Sequence, residues 1–222
     1  TRTAQDDYAI ASLTRAQEAQ KSGAFDREIV AVEAKGRKGV ETVDKDEQPL
    51  KGDPSKIPSL KPAFAKDGTI TAANASSISD GAAALVLTRE SVAAEKGLKP
   101  VARIVATAAH AHQPAKFTTA PVDAIRKVLD KAGWKAADVD LFEVNEAFAC
   151  VSMIAMHDLG LDHARVNVNG GATALGHPIG ASGARIIATL IAALQNRGGR
   201  RGVASLCIGG GEATAVALEL VD

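Results

Sequence analysis

Aromatic side chains are scarce, at 3% of the 222 residues, with one tryptophan and one tyrosine. A core with so few large rings has to close on aliphatic side chains, and hydrophobic residues at 46% supply them. There are two cysteines, so the chain has no disulfide framework of the kind that staples small secreted domains, and a reducing compartment is expected. Net charge is also missing. The 26 basic and 26 acidic residues cancel, leaving no long-range field to draw in nucleic acid or an anionic membrane. No apolar run reaches the ~18 residues that a membrane-spanning helix needs. Internal repeats, low-complexity tracts and a signal peptide are absent as well. The chain opens at Thr1 rather than at a methionine, so a targeting segment ahead of it stays open. The cytoplasm is the expected location, with the mitochondrial matrix as the alternative.

What is present is a long α/β series. Thr3 to Asp6 resembles a capping box ahead of a helix over Tyr8–Gln20, which Ser22 and Gly23 stop. Glu28–Lys35 and Val40–Val43 read as strands joined by a basic turn, Gly36 to Gly39, and four prolines between Asp44 and Pro62 mark an irregular segment. The stretch Thr69–Ser79 is small, polar and uncharged. An extended ligand could lie against such backbone, with Ser76 offering a hydroxyl. Ala82–Thr88 reads as an apolar strand and Glu90–Lys96 as a short helix. Strands at Val101–Ala106, Val139–Val144 and Arg165–Val168 each lead to a helix, at Val122–Ala132, Glu146–Leu159 and Ser182–Gln195. Two adjacent strands, Gly202–Cys207 and Thr214–Leu220, close the series. The expected fold class is α/β, a mixed sheet with helices on both faces.

Three strand ends carry the chemistry. Asn145 and Glu146 stand where a strand turns into a helix, a place that suits a functional amide or a plain N-cap. His177 lies between Gly176 and Pro178, whose backbone limits hold its ring in place, and the small residues of Gly180–Gly183 open the helix that follows. Cys207 ends a strand and precedes Gly209, Gly210 and Gly211, whose free N–H groups could bind an oxyanion or lower the thiol's pKa. Cys150, inside an apolar helix, reads as a small hydrophobe. Asn145, His177 and Cys207 should share one edge of one sheet, where open α/β sheets place their ligands.

Asn-Glu-Ala-Phe at 145–148, Gly-His-Pro-Ile-Gly at 176–180 and Cys-Ile-Gly-Gly-Gly at 207–211, in this order, resemble the C-terminal catalytic motifs of the thiolase family. The nearest likeness is to its acetyl-CoA acetyltransferase branch, and it extends over essentially the whole chain. The resemblance implies a thiolase fold of which residues 1–78 are the later part of the loop domain, with a pantetheine-binding segment. Residues 79–99 would be the last strand and helix of the N-terminal domain, and residues 100–222 the complete C-terminal domain. The N-terminal half would be mostly absent. The implied reaction condenses two acetyl-CoA molecules to acetoacetyl-CoA and CoA, or runs the reverse thiolysis of a 3-ketoacyl-CoA through an acyl-cysteine.

By the same resemblance His177 activates the nucleophile and faces the thioester oxygen, and Cys207 is the acid/base. Asn145 holds a water of the first oxyanion hole, and the Gly209 N–H contributes to the second. Ser76, Ala72, Phe64 and Phe148 match positions lining the pantetheine and coenzyme A channel, with Lys51 toward the nucleotide. No cofactor beyond coenzyme A thioesters is implied. No metal is implied either, since Leu13 replaces the tyrosine of potassium-dependent members. The partners implied are the missing N-terminal half and further copies, as a homotetramer or homodimer. The acyl-accepting cysteine has no counterpart among Cys150 and Cys207, so these 222 residues alone are expected to be inactive. Two other readings stay open: a non-catalytic CoA-binding subunit or fragment, and a Cys-His-Asn acyl-CoA hydrolase with Cys207 as nucleophile.

Overall fold

The computed structural model describes residues 1–37 and 39–221; Lys38, in the expected basic turn, lies outside the described residues. Helix α1 spans Arg2–Ser22 and starts earlier than the capping-box reading, because Thr1 is the N-cap and its hydroxyl accepts from the Ala4 N–H at 3.2 Å. Asp6 does not cap. It pairs with Arg2 at 2.6 Å and accepts from the Asn74 amide at 3.0 Å. Gly23, at φ 76°, ends the helix. Strands β1 (Val32–Gly36) and β2 (Gly39–Val43) form an exposed antiparallel ribbon. Helix α2 is short, Glu90–Glu95.

The main sheet holds β3 (Ala102–Ala111), β4 (Leu141–Val144), β5 (Arg201–Ile208) and β6 (Glu212–Leu220) in the order β3-β6-β5-β4. The β3·β6 and β6·β5 pairs are antiparallel and β5·β4 is parallel, so the sheet is mixed as expected. Alternating side chains divide its two faces. On one face Phe142, Val144, Val203, Ala213 and Ala215 pack against helices α3 (Ala120–Ala132) and α4 (Ala149–Leu159). On the other, Leu141, Ala204 and Leu218 meet Ile186, Leu190 and Leu194 of α6 (Ser182–Arg197). The alanines of β6 let α3 approach closely, which is how a chain with few aromatics closes its core. Helix α1 docks through Ala9, Leu13 and Ala16 onto Ala174 of the short helix α5 (Ala172–Leu175).

Three expected elements differ. Ala82–Thr88 is not a strand: it forms no ladder, and Val86 is 96% exposed. An apolar run becomes a strand only beside a partner, and none of the described strands adjoins it. Arg165–Val168 shrinks to isolated bridges, Val166 with Phe142 and Val168 with Gly170. Asn167 takes a left-handed φ of 48°, and its side chain accepts from the Val144 N–H and donates to the Val144 carbonyl, both at 2.8 Å. A side-chain amide thus stands in for ladder bonds. The helix expected from Glu146 begins at Ala149, because the backbone of Ala147 and Ala149 is hydrogen-bonded to the Asn74–Ser76 segment.

Candidate functional site

The site is built where the C-terminal ends of parallel strands β4 and β5 adjoin. The Asn145 N–H, just past β4, donates to the Ser205 carbonyl of β5 at 2.9 Å, two residues before Cys207. Asn145 is 1% exposed and caps no helix; the N-cap of α4 is Phe148. Its amide is therefore free for other work. The Asn145 Nδ2 lies 3.4 Å from His177 Nε2, and the Arg185 guanidinium donates to Asn145 Oδ1 at 3.5 Å.

The loop holding His177 is fixed from both sides. Gly176 has φ 82°, and a Cβ there would collide with the Ser79 hydroxyl, so only glycine fits. The His177 N–H donates to the Ser77 carbonyl at 2.9 Å. The tautomer follows from the next contact. Ser182, in the first turn of α6, donates its single hydroxyl proton to the Pro178 carbonyl at 3.1 Å. The Ser182 oxygen can then only accept from His177 Nδ1, 2.6 Å away. Nε2 is left with a lone pair turned toward the Asn145 amide. Burial, and then the Arg185 charge, push the His177 pKa below the ordinary histidine value, which keeps the ring neutral.

Cys207 is 6% exposed, one residue short of the end of β5. Its thiol is pushed up to about 11, chiefly by burial. The expectation that the glycine turn would lower this pKa is overturned: desolvation outweighs the backbone hydrogen bond that favours the thiolate. Gly209 is exposed in the tight turn to β6, and Gly211 closes that turn by donating to the Ile208 carbonyl at 3.0 Å. Cys150 is half-buried in α4 with its pKa also raised by burial, as suits a small hydrophobe.

The small polar tract lies directly on these motifs. Its bend is held by Asn74, whose Oδ1 accepts from the Thr71 N–H at 2.8 Å. Both the N–H and the hydroxyl of Ser76 donate to the Ala147 carbonyl at 3.0 Å, so Ser76 presents acceptor lone pairs to a ligand rather than a free proton. Ala75 bridges to Phe148, and Ile78 to His177. Ala72 is exposed on the tract. Phe64, 76% exposed, meets Phe148 edge-on with centroids 6.4 Å apart, and Phe117 meets the same ring at 6.1 Å. Lys51 pairs with Glu47 at 2.6 Å on the surface, in the turn where Gln48 donates to the Ser77 hydroxyl at 3.0 Å. Tract, histidine, asparagine and two of the expected channel phenylalanines are thus brought together.

Sequence reasoning missed Ser182, Arg185 and Phe117. Ser182 is read from the sequence only as the start of the helix; an arginine eight positions after His177 falls on that helix's first turn, a signal that could have found Arg185. Phe117 had no local signal, since only the packing of residues 114–119 against α4 brings it to Phe148.

Comparisons with known proteins agree with this fold. Residues 98–220 match the family model described as "Thiolase, C-terminal domain", and residues 1–91 match "Thiolase, N-terminal domain". An acetyl-CoA acetyltransferase of Allochromatium vinosum is 51% identical over 221 residues, covering 99% of this chain and 56% of that protein. The crystal structure of the Bacillus anthracis acetyl-CoA acetyltransferase superposes with a TM-score of 0.96 at 46% identity, covering 100% of this chain and 56% of the other. That of the Acat5 thiolase from Ascaris suum in complex with coenzyme A gives 0.87 at 40% identity, with the same coverage. The chain spans about half the length of the relatives it matches.

Proposed function

The chain belongs to the thiolase family, and on that premise we propose that the protein containing it is an acetyl-CoA acetyltransferase. It condenses two acetyl-CoA molecules to acetoacetyl-CoA and CoA, and catalyses the reverse thiolysis. The observation that carries this reading is the neutral His177, with the Nε2 lone pair facing Asn145 beside the small polar tract.

The acyl-accepting cysteine comes from outside these 222 residues. His177 Nε2 takes its proton, and the resulting thiolate attacks the C3 carbonyl of acetoacetyl-CoA. The C2–C3 bond breaks, Cys207 gives its proton to C2, and acetyl-CoA departs. The Cys207 thiolate takes the proton of free CoA, whose sulfur attacks the acetyl-cysteine; a second acetyl-CoA leaves, and the released cysteine thiolate takes its proton back from His177. A thiol pushed up to about 11 is fully protonated at neutral pH, as this protonation step requires. Asn145 holds a water at the first oxyanion and the Gly209 N–H meets the second. The pantetheine arm runs along Ala72 and Ser76 past Phe64 and Phe148, with Lys51 toward the nucleotide. Residues 1–78, 79–99 and 100–222 are the loop-domain remainder, the end of the N-terminal domain and the C-terminal domain. Coenzyme A thioesters are the substrates, no other cofactor is needed, and the working form is a cytoplasmic homotetramer or homodimer.

The hydrolase reading, with Cys207 as nucleophile, is opposed by the same raised thiol pKa. One experiment separates the readings: incubating the intact Cys207→Ala protein with radiolabelled acetyl-CoA. The expected result is an acetylated enzyme that makes no acetoacetyl-CoA. Loss of acetylation in this variant, with CoA-independent hydrolysis by the wild type, would establish the hydrolase instead. A wild type that binds CoA but is never acetylated would leave only the non-catalytic subunit.

A further inference from the structure

We propose that His110, His112 and Asp123 form a binding site for a divalent transition metal of the zinc class, apart from the residues assigned to catalysis. His110 is near the end of β3, His112 lies just beyond it, and Asp123 stands in the first turn of α3, which packs on that strand. One ligand atom from each lies within 4.8 Å of the other two, and the two imidazoles meet edge to face with centroids 5.1 Å apart.

Two details make this more than a chance cluster. His110 Nε2 is buried and makes no hydrogen bond, although Asp123 Oδ2 is only 3.3 Å away. Lys127, which can only donate, faces Nδ1, so without metal Nε2 carries its proton toward Asp123, buried and poorly aligned. A metal takes that place once the proton moves to Nδ1. His112 Nε2 lies 2.7 Å from the Lys116 carbonyl, which can only accept, so Nε2 carries the proton and Nδ1 is free. Metal-bound imidazoles are oriented by this kind of second contact to a carbonyl. Imidazole and carboxylate donors suit zinc, whose tetrahedral shell at about 2.1 Å places ligands about 3.4 Å apart. The set must therefore close by up to about 1.4 Å, within the reach of side-chain rotation, and a water completes the shell.

The surrounding charges set the cost. Arg126 pairs with Asp123 Oδ1 at 3.1 Å and leaves Oδ2 for the metal. Lys127 Nζ lies 3.1 Å from His110 Nδ1. This exposed lysine turns to water when Nδ1 takes the proton that Nε2 surrenders. The His112 N–H donates to the Gly211 carbonyl at 3.0 Å, so a bound ion ties β3 and α3 together behind the glycine turn that follows Cys207. Its role is that of a clamp.

The test is a titration of the intact, chelator-treated protein with Co²⁺. One equivalent is expected to bind with visible bands of nitrogen and oxygen coordination and without thiolate charge transfer. His112→Ala and Asp123→Asn should each weaken binding at least tenfold, while Cys150→Ser and Cys207→Ser leave it in place. His112→Gln, checked for native circular dichroism, covers the case in which the alanine variant misfolds. In the wild type, Zn²⁺ should protect His110 and His112 from diethyl pyrocarbonate, read by peptide mass. Absence of binding, binding unchanged in both His112 variants, or thiolate bands lost with a cysteine would overturn the site.

Discussion

Burial and the Arg185 guanidinium both disfavour a second proton on His177. The acidic limb of the thiolysis rate against pH should therefore fall below the ordinary histidine value of about 6.5. Arg185→Gln should move that limb upward; a limb at 6.5 or above in the wild type would contradict the neutral base. Replacing His177 by alanine should cut thiolysis by about 10³-fold or more, since proton removal and oxygen contact are lost together. Cys207 has the opposite signature. Burial holds its thiol up at about 11, so peptide-resolved alkylation by iodoacetamide should keep accelerating well past pH 9. A plateau near 8.5 would mean that the thiol is better solvated than its 6% exposure implies. The residue types of the site were legible from three motifs, two of them at the ends of β4 and β5, although no described strand leads to His177. The protonation states were not, because they depend on Ser182, Arg185 and burial, which the chain brings together only on folding.

Glu146 shows how one element holds another. Its buried carboxylate accepts from Tyr8 at 2.9 Å and Ser12 at 2.8 Å on α1, from Asn167 at 2.9 Å, and from the N–H and hydroxyl of Thr173 at 3.1 and 2.7 Å. Removing it takes the acceptor from these donors on three segments. Glu146→Ala should therefore destabilise the protein by about 4 kcal/mol in urea unfolding. Gly171→Ala should do similar harm, because a Cβ there would run into the Glu146 carboxyl. Sequence periodicity found the helices well, since α3 and α6 each bury one apolar stripe. It failed where side-chain amides replace backbone bonds, as at Asn167, and where a strand depends on a partner, as at Ala82–Thr88. It read Glu146 as the opening of a helix because nothing local marks a carboxylate that donors from distant segments will surround.

The stability of the folded unit should carry the mark of a second buried acid. Glu143 lies under the sheet edge with Arg185 3.7 Å away, and burial raises its pKa from 4.5 to about 8. Between these values the unfolded chain ionises this group while the folded chain keeps it protonated. Stability should therefore fall as pH rises from 4.5 to 8 and level off above, by ~5 kcal/mol for this group. Glu143→Gln should flatten that slope in thermal scans across the range, and an unchanged slope would place the burden on other carboxylates. At this scale the sequence yielded the mixed sheet and its two helical faces. The order β3-β6-β5-β4 had to be seen, because strand pairing is settled by contacts far apart in the chain. The bond from the His177 N–H to the Ser77 carbonyl reaches further than packing. On the proposed reading, an engineer who reshapes residues 76–79 along the pantetheine arm would be moving the base with the same stroke. Grip on the substrate and speed of turnover would then be inherited together.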